Sequence, residues 1–260
     1  MACSNSVKSS LILPALAYFC LLALLSCTSG KESAPAAKDT LSDAGAGTEK
    51  SARKIVCLKA PSAIEVDGII EDAWQAAETM SLEDPADIPD PNGVQIYTLW
   101  DENYLYVAYE VKDRYLVGFQ TERDHKALYK DDMIEVLLDP RRDATDLWLE
   151  DDIVYHVNIL GQVKDDRGTP EGKSDATWQS EALFAVTCQG TLNDSTDLDQ
   201  GFIVELAVPW AEIGKKPVPG HTLGINFAAG DAEGTDEHLW DWCGAHPFRQ
   251  PSAYGVLELQ

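Results

Sequence analysis

Glu135, His156 and Asn158 are the polar residues of this chain whose positions point to chemistry. Glu135 lies in the middle of Tyr129-Lys-Asp-Asp-Met-Ile-Glu-Val-Leu-Leu-Asp139, where Ile134, Val136 and Leu138 share one face and Met133, Glu135 and Leu137 take the other. His156 and Asn158 lie in Ile153–Leu160, opposite Tyr155, Val157 and Ile159. All three therefore turn away from the apolar face. A carboxylate accepts hydrogen bonds, an imidazole donates and accepts, and a carboxamide does both. On neighbouring strands they would share one polar face. No Gly-x-Ser-x-Gly elbow, His-Glu-x-x-His pair or phosphate loop accompanies them. With 44 acidic residues in the chain, two carboxylates facing each other across a cleft carry no information about glycoside hydrolysis.

The elements that must hold these residues are strands. Val94–Lys112 reads as a hairpin turning at Asp101-Glu102-Asn103, with Leu105, Val107, Tyr109 and Val111 on one face and Tyr104, Tyr106, Glu110 and Lys112 on the other. Ile55–Leu58, Ile64–Val66, Met133–Asp139, Ile153–Leu160, Ala182–Leu192, Gly201–Val208, Leu223–Gly230 and Tyr254–Leu259 complete the set. Asp67-Gly68 is a turn, Glu71–Glu78 a short helix holding Trp74, and Pro209-Trp210-Ala211-Glu212 one helical turn. No long amphipathic helix appears. The pattern predicts an all-β fold, an antiparallel, jelly-roll-like β-sandwich with short helical turns.

The ends bound the location. An apolar run, Leu11–Leu25, follows the single charge Lys8 and closes in Leu24-Leu25-Ser26-Cys27. It is short for a membrane span and reads as a secretory signal over residues 1–26. Leu-Leu-Ser-Cys resembles the bacterial lipobox, which makes Cys27 the expected lipidation site. Thr28 in place of Asp favours the outer membrane over inner-membrane retention. Residues 27–53, rich in Ala, Gly, Ser, Lys and Glu and free of aromatics, read as a lipid-anchored flexible tether reaching roughly 28 Å. Residues 54–260 are one domain-sized unit. A net charge of −24 argues against nucleic acid as a partner and against anionic lipid, and raises a calcium requirement beside simple solubility. Cys57, Cys188 and Cys243 remain in the domain; they permit one disulfide, with the pair undetermined, and are not spaced like a zinc site.

The blocks IEVDGIIEDAWQAAE, LWDENYLYVAYEVKD, DDMIEVLLDP, YHVNILG, GFIVELAVPW, LGINFAAGD and PFRQPSAYGVLEL, in that order, resemble the family 9 carbohydrate-binding module. The resemblance covers nearly the whole of residues 54–260. It implies a non-catalytic domain that binds poly- or oligosaccharide. In sugar-binding members two aromatic side chains clamp a pyranose ring, burying its C–H faces while polar groups take the hydroxyls. The resemblance places one at Tyr129, six residues before Glu135, and the other at Phe248, just before the segment Pro251-Ser-Ala-Tyr-Gly255. Both positions are typically tryptophan. The family's Tyr-Arg-Val-Asn corresponds to Tyr155-His156-Val157-Asn158, so His156 stands where an arginine fork is usual. Trp100, Trp148, Trp178, Trp240 and Trp242 are further aromatic candidates, with Trp240 or Trp242 as an alternative to Phe248, while Trp74 and Trp210 read as core.

Family members can carry structural calcium. Asn193–Asp199, Asp131, Asp132, Asp165 and Asp166 are the acidic candidates, though Asn193–Asp199 lacks the glycine of an EF-hand and the metal ligands stay unknown. Such modules accompany xylanases and other glycoside hydrolases. The expected role is a carbohydrate-binding lipoprotein outside the cytoplasm that supports carbohydrate catabolism, with a glycoside hydrolase as candidate partner. The rivals are a scaffold sandwich without a sugar site and a hydrolase accessory subunit. A haem-binding use of a related fold needs axial Met and His, and neither Met80 nor Met133 has an evident His partner.

Overall fold

The computed structural model describes residues 53–83, 93–232, 238–244 and 248–260. All lie within one compact unit, Glu49–Gln260. The expected signal segment, Cys27 and nearly all of the tether fall outside the described residues. Arg53, the last residue of the expected tether, already belongs to the sheet, since its carbonyl accepts the Val256 N–H at 2.8 Å. Among the described residues no helix is long and apolar enough to cross a membrane.

Among the described residues thirteen strands carry the fold: β1 Lys54–Lys59, β2 Thr79–Glu83, β3 Gly93–Trp100, β4 Tyr104–Lys112, β5 Met133–Asp139, β6 Ile153–Asn158, β7 Val163–Gly168, β8 Ser174–Asp175, β9 Leu183–Gln189, β10 Gly201–Pro209, β11 Thr222–Asp231, β12 His238–Asp241 and β13 Gly255–Leu259. One layer runs β8-β7-β6-β5-β11-β13-β1, with β12 also on β11; the other runs β1-β3-β4-β10-β9, with β2 on β3. β1 stitches the layers. Its first four residues pair with β13 (Lys54 with Val256 through Cys57 with Leu259), and its last two pair with β3. Both pairings are parallel, so the sheet is mixed where alternation alone predicted antiparallel. The pattern of apolar residues fixes which face a strand buries and says nothing of its direction relative to a partner far along the chain.

The core lies between the layers. Ile134, Val136 and Leu138 of β5, Tyr155 and Val157 of β6 and Phe227 of β11 meet Leu105, Val107 and Tyr109 of β4 and Val204 and Leu206 of β10. The Tyr109 hydroxyl crosses the core to donate to the Glu135 carbonyl at 2.7 Å. A second apolar cluster covers the outer face of β3, β4 and β10, where Trp74 sits over Tyr106, Ala108 and Ala207. The alternation of β4 predicted a polar face there; the small side chains of Ala108 and Ala207 leave room for the indole. Glu205 on that face is fully buried and accepts hydrogen bonds from the Asp67 and Gly68 N–H groups and from Trp74 Nε1 at 2.7–2.9 Å. Gly68 has φ +83°, and a Cβ there would come within 2.7 Å of Thr187 Cγ2.

Ile64–Val66, expected as a strand, runs as irregular chain into this turn, and its Glu65 N–H donates to Glu71 Oε1 at 3.2 Å rather than to a ladder. The expected helix around Trp74 is a 3-10 turn, Asp72–Ala76. β2, β7, β8 and β12 were not legible as strands; β7 is Val-Lys-Asp-Asp-Arg-Gly and carries almost no apolar signal. Cys57, Cys188 and Cys243 form no disulfide with one another, and burial pushes the Cys57 thiol up to about 12.

Candidate functional site

Strands β5, β6 and β7 bring Glu135, His156 and Lys164 into one row across the layer. His156 Nδ1 lies 2.7 Å from Glu135 Oε1. The N–H does not point cleanly along that line, so the contact is more electrostatic than a well-aligned hydrogen bond. Glu135 Oε2 has no partner among the described residues. Next in the row, Lys164 pairs with Asp166 two residues further along β7. The row turns away from the core as expected, yet Glu135 and His156 are only 6% and 8% exposed. They are covered rather than set on an open strand face, and Arg249 approaches His156 from the C-terminal segment.

Arg249, which the sequence did not single out, enters from the C-terminal loop. Its Nη2 donates to Asp166 Oδ2 at 2.5 Å and approaches His156 Nε2 at 3.4 Å. Its Nη1 donates to Ser174 Oγ at 2.8 Å. The guanidinium carbon stands 4.2 Å from the Trp148 ring centroid. Burial pushes the Glu135 carboxyl up, but His156, Arg249 and Lys164 together outweigh it and hold the group below its ordinary value. Burial likewise raises Asp166, and Lys164 and Arg249 more than reverse it. Two ionised carboxylates thus sit among three basic side chains.

The turn that carries Tyr129 and the residue Phe248 lie toward opposite ends of β5 and β6. Tyr129 stands on the 3-10 turn Leu128–Lys130 and is 48% exposed. Asn158 fixes the root of that loop. Its Nδ2 donates to Asp131 Oδ2 and to the Gln120 carbonyl, both at 2.8 Å, and its Oδ1 accepts the Gln162 N–H at 2.7 Å. Asn158 is wholly buried, so it positions the loop rather than presenting a free edge. At the other end of the row, Leu137 and Val154 pair across β5 and β6. There Phe248 is half-buried against them and against Trp148 and Tyr254. Asn158 and Met133 face each other at the Tyr129 end, so four residues of β5, about 13 Å, separate the two ends. Trp100, Trp148, Trp240 and Trp242 are all buried, and Trp178 packs against the core. None offers an open ring face, and Trp240 and Trp242 do not replace Phe248 in a clamp: their parity was read correctly as shared, but they share the inward face.

Two oxygen-only clusters could hold a hard cation: Asp113, Asp132 and Asp231, and Asp139, Asp151 and Asp152, each with carboxylate oxygens within 4.8 Å of one another. Burial, with Asp113 beside it, pushes Asp132 up to about 9. Burial, with Asp139 and Asp151 beside it, pushes Asp152 up to about 8. Asp152 Oδ1 is buried with no hydrogen-bond partner, as a ligand oxygen aimed at a cation would be. Of the acidic residues noted in the sequence, only Asp132 joins a cluster. Asp165 takes Arg123 and the Ser180 N–H, Asp166 takes Lys164 and Arg249, and Asp199 takes the Leu116 and Thr191 N–H groups.

The comparisons with known proteins bear on the family and the fold. An endo-1,4-beta-xylanase A of Thermotoga maritima is 28% identical over 200 residues, which is 75% of this chain and 17% of the xylanase. The chain thus spans about a sixth of that relative's length. Two structures of a carbohydrate binding module family 9 from Caldicellulosiruptor kristjanssonii, in complex with cellotriose and with glucose, superpose with TM-scores of 0.61 and 0.62 at 21% identity. They cover 80% of this chain, which in turn covers 94% and 96% of them, and they share its fold. The domain is a binding module and not a catalytic one: the xylanase match stops at this region. The model of the family described as carbohydrate family 9 binding domain-like matches residues 66–260, and the chain belongs to that family.

Proposed function

We propose that the domain binds oligosaccharide, or the ends of polysaccharide chains, at Glu135 and its neighbours. The observation that carries this reading is an ionised, nearly buried carboxylate, Glu135, against His156 with Arg249 beyond the ring, while the exposed Tyr129 and the half-buried Phe248 lie toward opposite ends of the same strands. A pyranose needs an aromatic surface for its C–H face and charged acceptors for its rim, and both are present. The relatives support a β-linked gluco- or xylo-oligosaccharide, since the structural neighbours are described with cellotriose and glucose and the sequence relative is a xylanase. A glycan array on the protein from Glu49 onward tests it. Binding to such chains is expected. Binding to no glycan would favour the scaffold reading.

The domain works outside the cytoplasm, tethered through lipid on Cys27 to the outer membrane, where it holds carbohydrate for a glycoside hydrolase and so supports carbohydrate catabolism. The Leu24-Leu25-Ser26-Cys27 segment supports the anchor. Metabolic labelling with a fatty-acid analogue tests it: label on the wild type that disappears in Cys27→Ala is expected, and no label on the wild type overturns it. Calcium bound at Asp139, Asp151 and Asp152, or at Asp113, Asp132 and Asp231, serves structure. The unpartnered Asp152 oxygen supports that assignment.

A further inference from the structure

We infer that Arg249 is the specificity-determining donor of this site, and that with Glu135 it reads two adjacent hydroxyls of the bound sugar. The inference rests on the oligosaccharide reading above. It begins with His156. One ring nitrogen lies 2.7 Å from Glu135 Oε1 and the other 3.4 Å from Arg249 Nη2. With Arg249 donating, Nε2 is the acceptor and the ring proton sits on Nδ1, facing Glu135. Both nitrogens are engaged, so His156 holds its neighbours in place and has no free edge for a ligand.

Arg249 does have one. A guanidinium carries five N–H groups. Three are directed at Asp166, His156 and Ser174. The two that remain, on Nε and on Nη1, have no partner among the described residues, and the side chain is 32% exposed. Stacking on Trp148 and pairing with Asp166 fix the plane of the fork, so little conformational freedom is lost when a ligand docks.

Glu135 supplies the complement. Its Oε2 is an open acceptor, and the carboxylate is ionised. Glu135 and Arg249 contact opposite nitrogens of one imidazole ring, which sets an acceptor and a donor on either side of it for two neighbouring hydroxyls. One hydroxyl donates to Glu135; the next accepts from Arg249. Both bonds are charge-assisted. A pair of opposite polarity also fixes which way round the diol lies, which a single carboxylate does not. The ligand class is a pyranose with adjacent unsubstituted hydroxyls on the edge that faces the floor. The loop that brings Phe248 to the ring face brings Arg249 to the ring edge, so stacking and polar recognition arrive on consecutive residues.

The experiment is calorimetry on the full chain in detergent, with glucose, cellotriose and the singly deoxygenated analogues of glucose, for wild type, Arg249→Lys and Arg249→Gln. The wild type is expected to lose at least tenfold in affinity with each of two adjacent deoxy analogues, because a site built to bond a hydroxyl rejects the ligand lacking it. In both variants one of those penalties should shrink below threefold while the other, which belongs to Glu135, persists. Melting temperatures taken alongside identify misfolded protein; Lys keeps the charge, and Gln keeps part of the length and a donor. Unchanged penalties in folded variants overturn the assignment of Arg249 and leave sugar binding standing. A wild type that binds neither glucose nor cellotriose overturns both.

Discussion

Asn158 and Asp131 are joined side chain to side chain by a 2.8 Å hydrogen bond, and through it strand β6 holds the root of the loop that carries Tyr129. The same amide binds the Gln120 carbonyl on the opposite limb of that loop. Floor and wall of the site are therefore one hydrogen-bonded unit. Asn158→Ala removes three bonds from a residue with no exposure to solvent. Each unsatisfied partner left behind costs about 1–3 kcal/mol if it stays dry. The expected outcome is a loss of about 2 kcal/mol in denaturant unfolding, with sugar affinity lowered although Asn158 touches no sugar. Unchanged affinity in the destabilised variant would separate Tyr129 from the site.

The pH response follows from Glu135. Its folded value lies below the ordinary 4.5, because His156, Arg249 and Lys164 outweigh the burial that pushes it up. A depressed carboxyl contributes stability that is fully present above its unfolded value and is lost as pH falls through the folded one. Sugar binding needs the same ionised acceptor. Affinity should hold from neutrality to about pH 4.5 and fall only below it. Asp166 shifts in the same direction, so Glu135→Gln identifies the group: the variant should bind more weakly at pH 7 and show a flatter acid limb. An equally steep limb in the variant would assign the effect to Asp166.

How much of this was legible beforehand depended on what kind of signal each element carries. Strands β4, β5 and β10 announced themselves because one face of each is continuously apolar. The parallel pairing of β1 with β13 was silent, since it joins the two ends of the domain. β7 was silent because its inward and outward residues are both mostly charged, Asp165 meeting Arg123 and Asp166 meeting Lys164 and Arg249. At the site, strand parity correctly set Glu135 and His156 on one face. It did not show that Asn158 would be enclosed, which depends on loops rising over that face. Nor did it show Arg249, which reaches His156 from the C-terminal segment; its adjacency to Phe248 was the available clue. Glu205 was hidden for the same reason, its partners lying at Asp67, Gly68 and Trp74, far along the chain.

Metal removal offers a test of the acidic trios. If calcium binds only the folded state, a chelator should lower the melting temperature and added calcium should restore it, by mass action. Asp152→Asn should behave in the opposite sense without metal. Asp152 is raised to about 8 by burial and by Asp139 and Asp151, so the neutral amide relieves repulsion. Its nitrogen, set in place of the unpartnered Oδ1, can donate to the neighbouring carboxylates. The variant is expected to melt higher than wild type in chelator and to gain less from calcium. A melting curve indifferent to both treatments would leave the trio as buried acids sharing protons.

The most direct test concerns Tyr129. It is 48% exposed on a turn whose root is pinned by Asp131 and Asn158. An exposed ring on a fixed support suits stacking, because the ring loses little freedom on binding and the sugar's C–H face replaces water over it. Shallow sites of this type imply dissociation constants of about 1 mM to 1 µM, or roughly −4 to −8 kcal/mol. Tyr129→Ala removes one stacking face and should cost about 1–3 kcal/mol, by analogy with other stacked-ring truncations. Tyr129→Trp, which enlarges the face, should bind at least as well as wild type. Stability should change little in either variant, since so exposed a ring contributes little burial. Calorimetry with cellotriose on wild type and both variants reads the result. Wild-type affinity in a folded Tyr129→Ala protein would take Tyr129 out of the site and leave the stacking to the Phe248 wall alone.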